Sequence, residues 1–517
     1  MKGKGRRQKS EGRIQNLGHT RTLLALEMGI FVLAIAAVTA YAGPLDDFGG
    51  GGTKPSARPA PASARPSRFP PLPAYTPPPV ERHVLSNGVV VLLMENHEFP
   101  TIDFSLRVKM GSIYEPADKV GLAGILGNAW RSGGSTTTAG DDLDERLERI
   151  AASINGNVGS DSATFSLSCM KDNFAETLGY FADLVEHPAF PQDKIDLAKI
   201  QARGAIQRRN DSPGSIAGRE FARLMYGPDH PYARLSEFRT IDAITRDDVT
   251  GFYSTYMKPN AAIIGVWGDF NTPDLLAALD KALADWKPGK VDYPPIPAIN
   301  PAKGPAVYFI QKDDTSQSSV LMGQISGRLD DPDYPYLSLW NEVVSGGFQA
   351  RMFATIRSKL GYAYSTGANM GLQYAQPGYF TASAGTKSET TVAAAKAIVD
   401  VISNAVKGPI TPQELQTAKD SILNSSVFSY NTPSQLVTRA MTYEFYGYPP
   451  DFLEKYLAKV QDADVSDLLE AAQKLIHPEN FVVFVLGRSQ DFDASLDAIG
   501  YGPANTMDIT IAPPGAK

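Results

Sequence analysis

Cysteine and histidine are scarce in this sequence. Its 517 residues include one cysteine, Cys169, and six histidines. A single cysteine excludes an intramolecular disulfide framework and any zinc site built from several thiolates. No two histidines lie within one helical turn of each other, since they are His19, His83, His97, His187, His230 and His477. The sequence therefore lacks the paired helical histidines that bind metal in many zinc enzymes.

An excess of positive charge is also missing. Lys and Arg number 49 against 56 Asp and Glu, a net charge of −7, which argues against a nucleic-acid-binding protein. The 43 % hydrophobic and 20 % charged composition is that of a globular protein and excludes wholesale disorder. Neither a P-loop nor a G-x-S-x-G nucleophile elbow is present. Cys169 alternates with apolar residues and is interpreted as a buried structural thiol.

The first 42 residues predict an export signal. They hold seven basic and two acidic residues, and their longest uncharged stretch, 28–42, is 15 residues long. A transmembrane helix usually needs about 20 apolar residues, whereas a basic start, a short apolar core and the small-x-small end Ala40-Tyr41-Ala42 are typical of a cleaved signal. An uncleaved membrane anchor at 22–42 is the alternative. We therefore expect an exported, periplasmic protein whose remaining residues carry a net charge of −12.

Residues 43–79 predict a linker. Eleven of these 37 residues are proline and five are glycine, a composition that cannot build a core. The globular part is expected to span 80–513.

A long internal repeat organises the globular part. Five pairs of segments recur in order at offsets of 213 to 220 residues: 132–134 with 345–347, 210–213 with 430–433, 226–227 with 446–447, 258–260 with 477–479, and the apolar runs that end at Gly268 and Gly487. Such ordered recurrence predicts two diverged copies of one unit. We place the copies at 80–270 and 305–513, joined by a linker at 271–304.

Each copy mixes strands and helices. In the first copy, 83–96 has the pattern of a hairpin around Asn87-Gly88, 101–110 and 163–170 alternate like half-buried strands, and 141–152 and 173–188 have helical spacing. The second copy predicts strands at 305–312, 318–326, near 362–370 and at 376–386, and helices at 334–359 and 388–406. The predicted fold class is α+β, with antiparallel strands packed under helices.

The first copy resembles a known family. The run Gly111-Ser112, Glu115-Pro116 and Gly121-Leu122-Ala123, followed by a helix, a strand pair and a helix, is similar to the N-terminal half of the pitrilysin/insulinase-type (inverted zincin) metallopeptidases. That family includes the mitochondrial processing peptidases and bacterial heterodimeric homologues. The resemblance implies that the two copies form half of a clamshell.

The zinc motif of the family is missing from the matching positions. Active members carry H-x-x-E-H on the helix after Gly-Leu-Ala and a further Glu about 77 residues downstream. Here those positions read Gly124, Gly127, Asn128 and Ala205. Glycine and alanine offer no donor atom, so we expect no metal ligand in this chain. Zinc is instead expected in a partner subunit.

The second copy keeps an Arg/Tyr pair. In the segment 349–367, Arg357 falls in the last helical turn and Tyr364 lies seven residues on, past Gly361. The resemblance implies that this pair reaches the zinc site of an opposing subunit, where it stabilises the oxyanion of a peptide carbonyl or holds the substrate. Taken without the family, an Arg in a last helical turn and a strand Tyr are ordinary structural residues.

These features predict a non-catalytic subunit of a heterodimeric zinc metallopeptidase. Its expected partners are a homologous zinc-bearing subunit and peptides that bind by strand addition at an edge such as 155–168, with activity only in the complex. No nucleic acid is expected, and a membrane only through an uncleaved anchor. The alternatives are a metal-free scaffolding protein and a peptide-binding pseudoenzyme without a peptidase partner. The sequence leaves open whether the chain also forms a homodimer.

Overall fold

A computed structural model describes residues 78–515. The predicted export segment and all but the end of the linker at 43–79 lie outside these residues. In the described part of the chain, no helix is both long enough and apolar enough to cross a membrane.

The first half contains one mixed sheet and its covering helices. Its strands are β1 (Glu81–Val84), β2 (Val90–Glu95), β3 (Thr101–Val108), β4 (Ser153–Val158), β5 (Ala163–Met170) and β6 (Ala262–Gly268). Its helices are α1 (Leu122–Gly133), α2 (Gly140–Arg149), α3 (Phe174–Glu186), α4 (Gln192–Gln207), α5 (Pro213–Tyr226), α6 (Phe238–Ala243), α7 (Arg246–Tyr256) and α8 (Thr272–Ala282).

The second half repeats this arrangement. Its strands are β7 (Ala306–Gln311), β8 (Gln317–Ile325), β9 (Ala363–Asn369), β10 (Tyr379–Lys387), β11 (Val482–Gly487) and β12 (Ala504–Thr506). Its helices are α9 (Tyr334–Ser345), a π-helix (Phe353–Lys359), α10 (Thr391–Lys407), α11 (Pro412–Ser426), α12 (Pro433–Tyr446), α13 (Phe452–Asp462) and α14 (Val465–Leu475).

The two sheets share one strand order. The first runs β1-β2-β6-β3-β5-β4 and the second β12-β7-β11-β8-β10-β9. The outer strand beside β2 is β1, which precedes β2 in the chain. The outer strand beside β7 is β12, which lies near the C-terminal end. The expected antiparallel pairing needs correction, because β2–β6, β7–β11 and β7–β12 are parallel. Parallel pairing needs a long crossover, and most of each half lies between the strands β2 and β6 or β7 and β11.

Each sheet buries one face under its own helices. The first core contains Phe104, Phe165 and Trp130, and the second contains Phe380 and Trp340, all at most 1 % exposed. Both tryptophans use their single donor on the backbone of a facing helix, since Trp130 Nε1 donates to Leu184 O at 2.8 Å and Trp340 Nε1 donates to Ala405 O at 3.1 Å. A buried indole N–H needs such a partner, so this bond ties the first helix of each half to a neighbouring helix, α3 or α10.

The opposite face of each sheet is covered by a helix from the other half. Helix α5 of the first half packs Ile216, Phe221 and Met225 against Ile310, Val482, Phe484 and Leu486 of the second sheet. Helix α12 of the second half packs Leu436, Val437 and Met441 against Leu92, Met94 and Ile263 of the first sheet. Burying each such side chain contributes roughly 1.5–3 kcal/mol, so the exchange ties the two halves together.

Two of the repeated sequence motifs mark the ends of these exchanged helices. Ser212 and Thr432 cap the N-termini by accepting backbone N–H groups, and a proline follows each at the first helical position. At the other end, Gly227 and Gly447 follow the last helical tyrosine with positive φ angles of 95° and 74°.

The segment at 271–304, predicted to be a linker, begins with a helix. Helix α8 and the residues just after it place Leu275, Leu279, Leu283 and Trp286 in the first core. The helical spacing of these apolar residues indicates a helix, and the linker prediction overlooked it. Only the proline-rich remainder, 287–304, is without regular structure.

We expect Gly265→Val to weaken the packing of α12 on the first sheet. A Cβ atom at Gly265 would lie 2.4 Å from Met441 Sδ and 2.6 Å from Val437 Cγ1, although valine suits a strand. Overpacking of this kind typically costs about 1–3 kcal/mol, measurable by urea unfolding. Gly179→Ala on α3, where a Cβ meets nothing within 4 Å, is the control and should not destabilise the protein. Equal stability of the Gly265→Val protein would contradict the tight contact.

Candidate functional site

The start of α1 is fixed by a buried carboxylate. Glu115 is 5 % exposed, and its two oxygens accept the backbone N–H groups of Gly121 at 3.0 Å and Ala123 at 2.6 Å. Burial raises the pKa of this carboxyl, and the two N–H groups oppose that shift. The residues that carry the family resemblance thus hold the helix on which the zinc motif would sit.

The positions of that motif do not fit a zinc ion. Gly124 and Asn128 are exposed one turn apart on α1, and Gly127 faces Val158 of β4. Asn128 Nδ2 donates to Gly124 O at 2.9 Å, and Ala205 is an exposed residue of α4, which packs against α1. Only the Asn128 amide carries a side-chain heteroatom, and zinc prefers imidazole, thiolate and carboxylate. Within residues 78–515, no group of three or more His, Cys, Asp or Glu side chains could hold a metal.

The described histidines are dispersed. Four lie beside carboxylates close in sequence or across a strand end: His83 with Glu81, His97 with Asp269, His187 with Asp183 and His477 with Glu479. The fifth, His230, is buried against Pro297 O at 3.1 Å, and burial lowers its pKa. Cys169 is buried in β5, and burial raises the pKa of its thiol, as in a structural cysteine rather than a nucleophile.

The helix predicted at 334–359 is two helices. Helix α9 ends at Ser345, and the chain turns at Gly346-Gly347, where Gly347 has a φ of 129°. A π-helix then spans Phe353–Lys359, with the N–H of Leu360 donating to Thr355 O at 2.9 Å. The glycine pair breaks the helical ladder, because glycine adopts such backbone angles without steric penalty. Such wider π turns are rare and are frequently found at functional sites.

Arg357 and Tyr364 lie next to each other. Arg357 is in the last turn of the π-helix, Gly361 ends it with a φ of 68°, and Tyr364 follows in the edge strand β9. Ala363 pairs with Thr386 and Ser365 with Gly385, so Tyr364 is the extra residue of a β-bulge. A bulge re-aims the side chain that it carries.

The Arg357 guanidinium is stacked on aromatic rings. Its central carbon is 4.7 Å from the ring centre of Phe353 and 5.1 Å from that of Tyr364, and Phe348 packs edge-on against Phe353 at 4.8 Å. Tyr364 is 79 % exposed and Phe348 is 61 % exposed. Among residues 78–515, no carboxylate forms an ion pair with Arg357. Its N–H groups therefore remain free for an external acceptor, while the rings hold its position. We call these four side chains the aromatic–arginine cluster.

Sequence reasoning missed the two phenylalanines and the ion pair that supports the π-helix. Arg351 Nε and Nη2 donate to the two oxygens of Glu414 at 2.7 and 2.9 Å, and Nη2 also donates to Pro409 O. Hydrogen bonds from Arg351 lower the pKa of Glu414 to about 2, and the N–H and hydroxyl of Thr411 add to that effect against the opposing burial. Thr411 and Glu414 form a capping box, a sequence signal that locates Glu414 but not its partner.

The motif positions and the Arg/Tyr pair both lie beside an edge strand, in different halves of the chain. Helix α1 lies against β4, the edge strand of the first sheet, and the π-helix lies beside β9, the edge strand of the second. The fold therefore brings Arg357 and Tyr364 together beside the second sheet, whereas α1 lies beside the first sheet.

Family comparison agrees with this architecture. Residues 90–225 match the family described as Insulinase (Peptidase family M16), and residues 243–422 match the family described as Peptidase M16 inactive domain. The chain belongs to the peptidase M16 family.

Individual relatives span most of the chain. It is 21 % identical to "Uncharacterized zinc protease YmxG" of Bacillus subtilis, over 70 % of this chain and 87 % of that protein. It is 22 % identical to "Non-peptidase homolog YmxG" of Helicobacter pylori, over 74 % of this chain and 87 % of that protein. The names differ on activity, whereas the inactive-domain match and the missing ligands support a non-catalytic member of the family.

Two solved structures share the fold. The peptidase M16 inactive domain from Pseudomonas fluorescens is 25 % identical with a TM-score of 0.70, over 79 % of this chain and 98 % of that one. The periplasmic protease PqqL from Escherichia coli is 15 % identical with a TM-score of 0.68, over 83 % of this chain but 49 % of that one. This chain thus corresponds to about half of PqqL.

Glu414→Gln should reduce stability in a pH-dependent way. The folded-state pKa of Glu414 is lowered from 4.5 to about 2, so its contribution is present above pH 4.5 and is lost as the pH falls toward 2. For this partly exposed pair we expect a loss of about 1–2 kcal/mol in the free energy of unfolding near neutral pH, shrinking at acid pH. Urea unfolding at neutral and at acid pH measures this loss of stability, with Glu389→Gln as the exposed control. An equal loss at both pH values would contradict the ion-pair origin.

Proposed function

We propose that this chain is a non-catalytic subunit that pairs with a zinc-bearing homologue and supplies Arg357 and Tyr364 to the partner's active site. The observation that carries the proposal is the aromatic–arginine cluster. It holds a guanidinium without an ion-pair partner in the described residues, beside a phenol that is 79 % exposed. A side chain that only stabilises the fold has no need of that exposure.

The length of the chain supports a two-subunit arrangement. The match covers 83 % of this chain but only 49 % of PqqL, so PqqL is long enough to hold about two copies of this fold in one molecule. A second, homologous chain would supply the other half of the clamshell. Zinc belongs to that partner in this proposal, because the matching positions here carry no ligand set.

The residues of this chain suit the handling of a peptide carbonyl. A guanidinium donates hydrogen bonds in a fixed fork, and a phenol donates one more, so both can stabilise negative charge that develops on a carbonyl oxygen. Strands β9 and β4 are the edges of their sheets, and an extended peptide can add to either as a further strand. Peptides are therefore the proposed substrates, and an exported location, in the periplasm, is part of the same proposal.

A second candidate is a peptide-binding pseudoenzyme that acts without a peptidase. The exposed Phe348 and Tyr364 rings favour it, because aromatic residues with a free cation also suit simple peptide capture. The two candidates differ in whether a partner's cleavage rate depends on Arg357.

Mixing with a zinc-bearing homologue from the same source tests the proposal. We expect no cleavage by the pure chain and cleavage by the mixture. Arg357→Ala should lower kcat/KM of the mixture by about 10²–10³-fold, as loss of an oxyanion donor does, and Tyr364→Phe by roughly 10-fold. Lys359→Ala, which removes a cation from the same π-helix, is the matched control and should have little effect.

Two results would overturn the shared site. One is cleavage by the pure chain at the rate of the mixture. The other is a mixture whose kcat/KM is unchanged by both substitutions, with complex formation verified by size-exclusion chromatography.

A further inference from the structure

On the sheet face under α12, the side chains change from apolar on β6 to polar on β3, β5 and β4. Strand pairing aligns three rows across β6, β3, β5 and β4: Ile263–Arg107–Thr164–Asn157, Gly265–Ser105–Ser166–Asn155 and Trp267–Asp103–Ser168–Ser153. The β6 members lie under α12. The nine residues beyond β6 are polar, and we call them the open face. Seven of the nine are neutral, with one aspartate and one arginine.

The polar groups of the open face point to solvent. None of the nine is buried, and Ser166, Ser168, Ser153, Asn155 and Asn157 are exposed. Within residues 78–515, only Arg107 among them has a side-chain hydrogen bond to protein, to Thr442 of α12 at 3.4 Å. Arg107 also lies over the ring of Phe445, 4.9 Å from its centre. Eight side chains thus keep their hydrogen-bonding capacity for water or a ligand.

The second sheet presents a corresponding face. Its rows across β8, β10 and β9 are Gly323–Thr381–Asn369, Leu321–Ser383–Gly367 and Ser319–Gly385–Ser365. None of these nine positions is charged. Both faces end at the edge strands β4 and β9, and β9 carries Tyr364. The two faces therefore lead to the strand edges where the proposed function places the peptide.

The composition of the open face selects its occupant. A stable protein interface has an apolar, aromatic centre, which these nine residues lack. Nucleic acid would require a cluster of cations, and a lipid surface would require apolar side chains. Neutral hydroxyls and amides instead form direct and water-mediated hydrogen bonds, which match the backbone of an extended polypeptide.

We propose that the open face is a peptide-binding wall whose near neutrality makes this subunit indifferent to the net charge of the peptide. The inference rests on the proposed function, since the peptide is the substrate of the paired peptidase. Hydroxyl and amide groups contact every peptide through its backbone, and the single Asp103 and Arg107 cancel in net charge. Selection for particular side chains then falls to the aromatic rings of the aromatic–arginine cluster and to the partner.

Direct binding to the purified full chain tests this inference. Fluorescence anisotropy would compare labelled peptides of equal length with net charges of about −4, 0 and +4 at an ionic strength of about 150 mM. There the net charge of −7 on the whole chain is screened beyond about 8 Å, while charges on the open face itself still act. We expect the three Kd values to agree within about threefold, because no net charge faces the peptide.

A charged variant of the open face makes the result specific. Ser166→Lys combined with Ser168→Lys adds two cations to the face, so the acidic peptide should bind about tenfold tighter and the basic peptide more weakly, with the difference lost in high salt. The matched control is Ser254→Lys with Thr255→Lys, two exposed hydroxyl residues of α7, on the helix-covered side of the sheet. It should leave the ratio of Kd values near that of the wild type.

Three outcomes would overturn the inference. They are wild-type Kd values that differ more than about tenfold with peptide charge, a charged-face variant that behaves like the control, and no binding of any peptide. Because this assay needs neither the partner nor Arg357, its failure is distinct from failure of the shared active site.

Discussion

The exchange of α5 and α12 is the contact on which the rest of the molecule depends. Each sheet has two faces, and the helices of its own half cover only one of them. The apolar second face of β2 and β6 is buried by Val437 and Met441 from the other half, and the reciprocal contact uses Phe221. Neither half could bury both faces alone, so the described part of the chain folds around a shared interface.

The exchange also determines which part of the first sheet remains exposed and polar. Helix α12 covers β2 and β6 and reaches Arg107 of β3, and the side chains of β3, β5 and β4 on that face are polar. In the second half, the edge strand bears the bulge that carries Tyr364, and the glycine break after α9 places Arg357 against it. The other half carries the motif helix α1, whose matching positions lack a zinc ligand set.

Local patterns predicted local elements well. The alternation over 163–170 gave β5 with its observed limits, and the spacing over 141–152 and 173–188 gave α2 and α3 within three residues. Long-range features were beyond such patterns. The parallel pairs of β6 and β11 depend on crossovers of more than a hundred residues, and the helix at 334–359 was predicted through Gly346-Gly347 because its apolar spacing continues past the break.

By itself the sequence determined the duplication, the fold class and the absence of zinc ligands, because these depend on residue identity and order. The family resemblance singled out Arg357 and Tyr364, and their role stays a prediction. Only the tertiary structure decided that Arg357 stacks on both Phe353 and Tyr364, and that Arg351 pairs with Glu414 just before the π-helix. It alone revealed that the repeated Ser-Pro and Thr-Pro motifs begin helices that cross between the halves. Contacts between residues hundreds of positions apart are set by packing of whole elements, which no local pattern encodes.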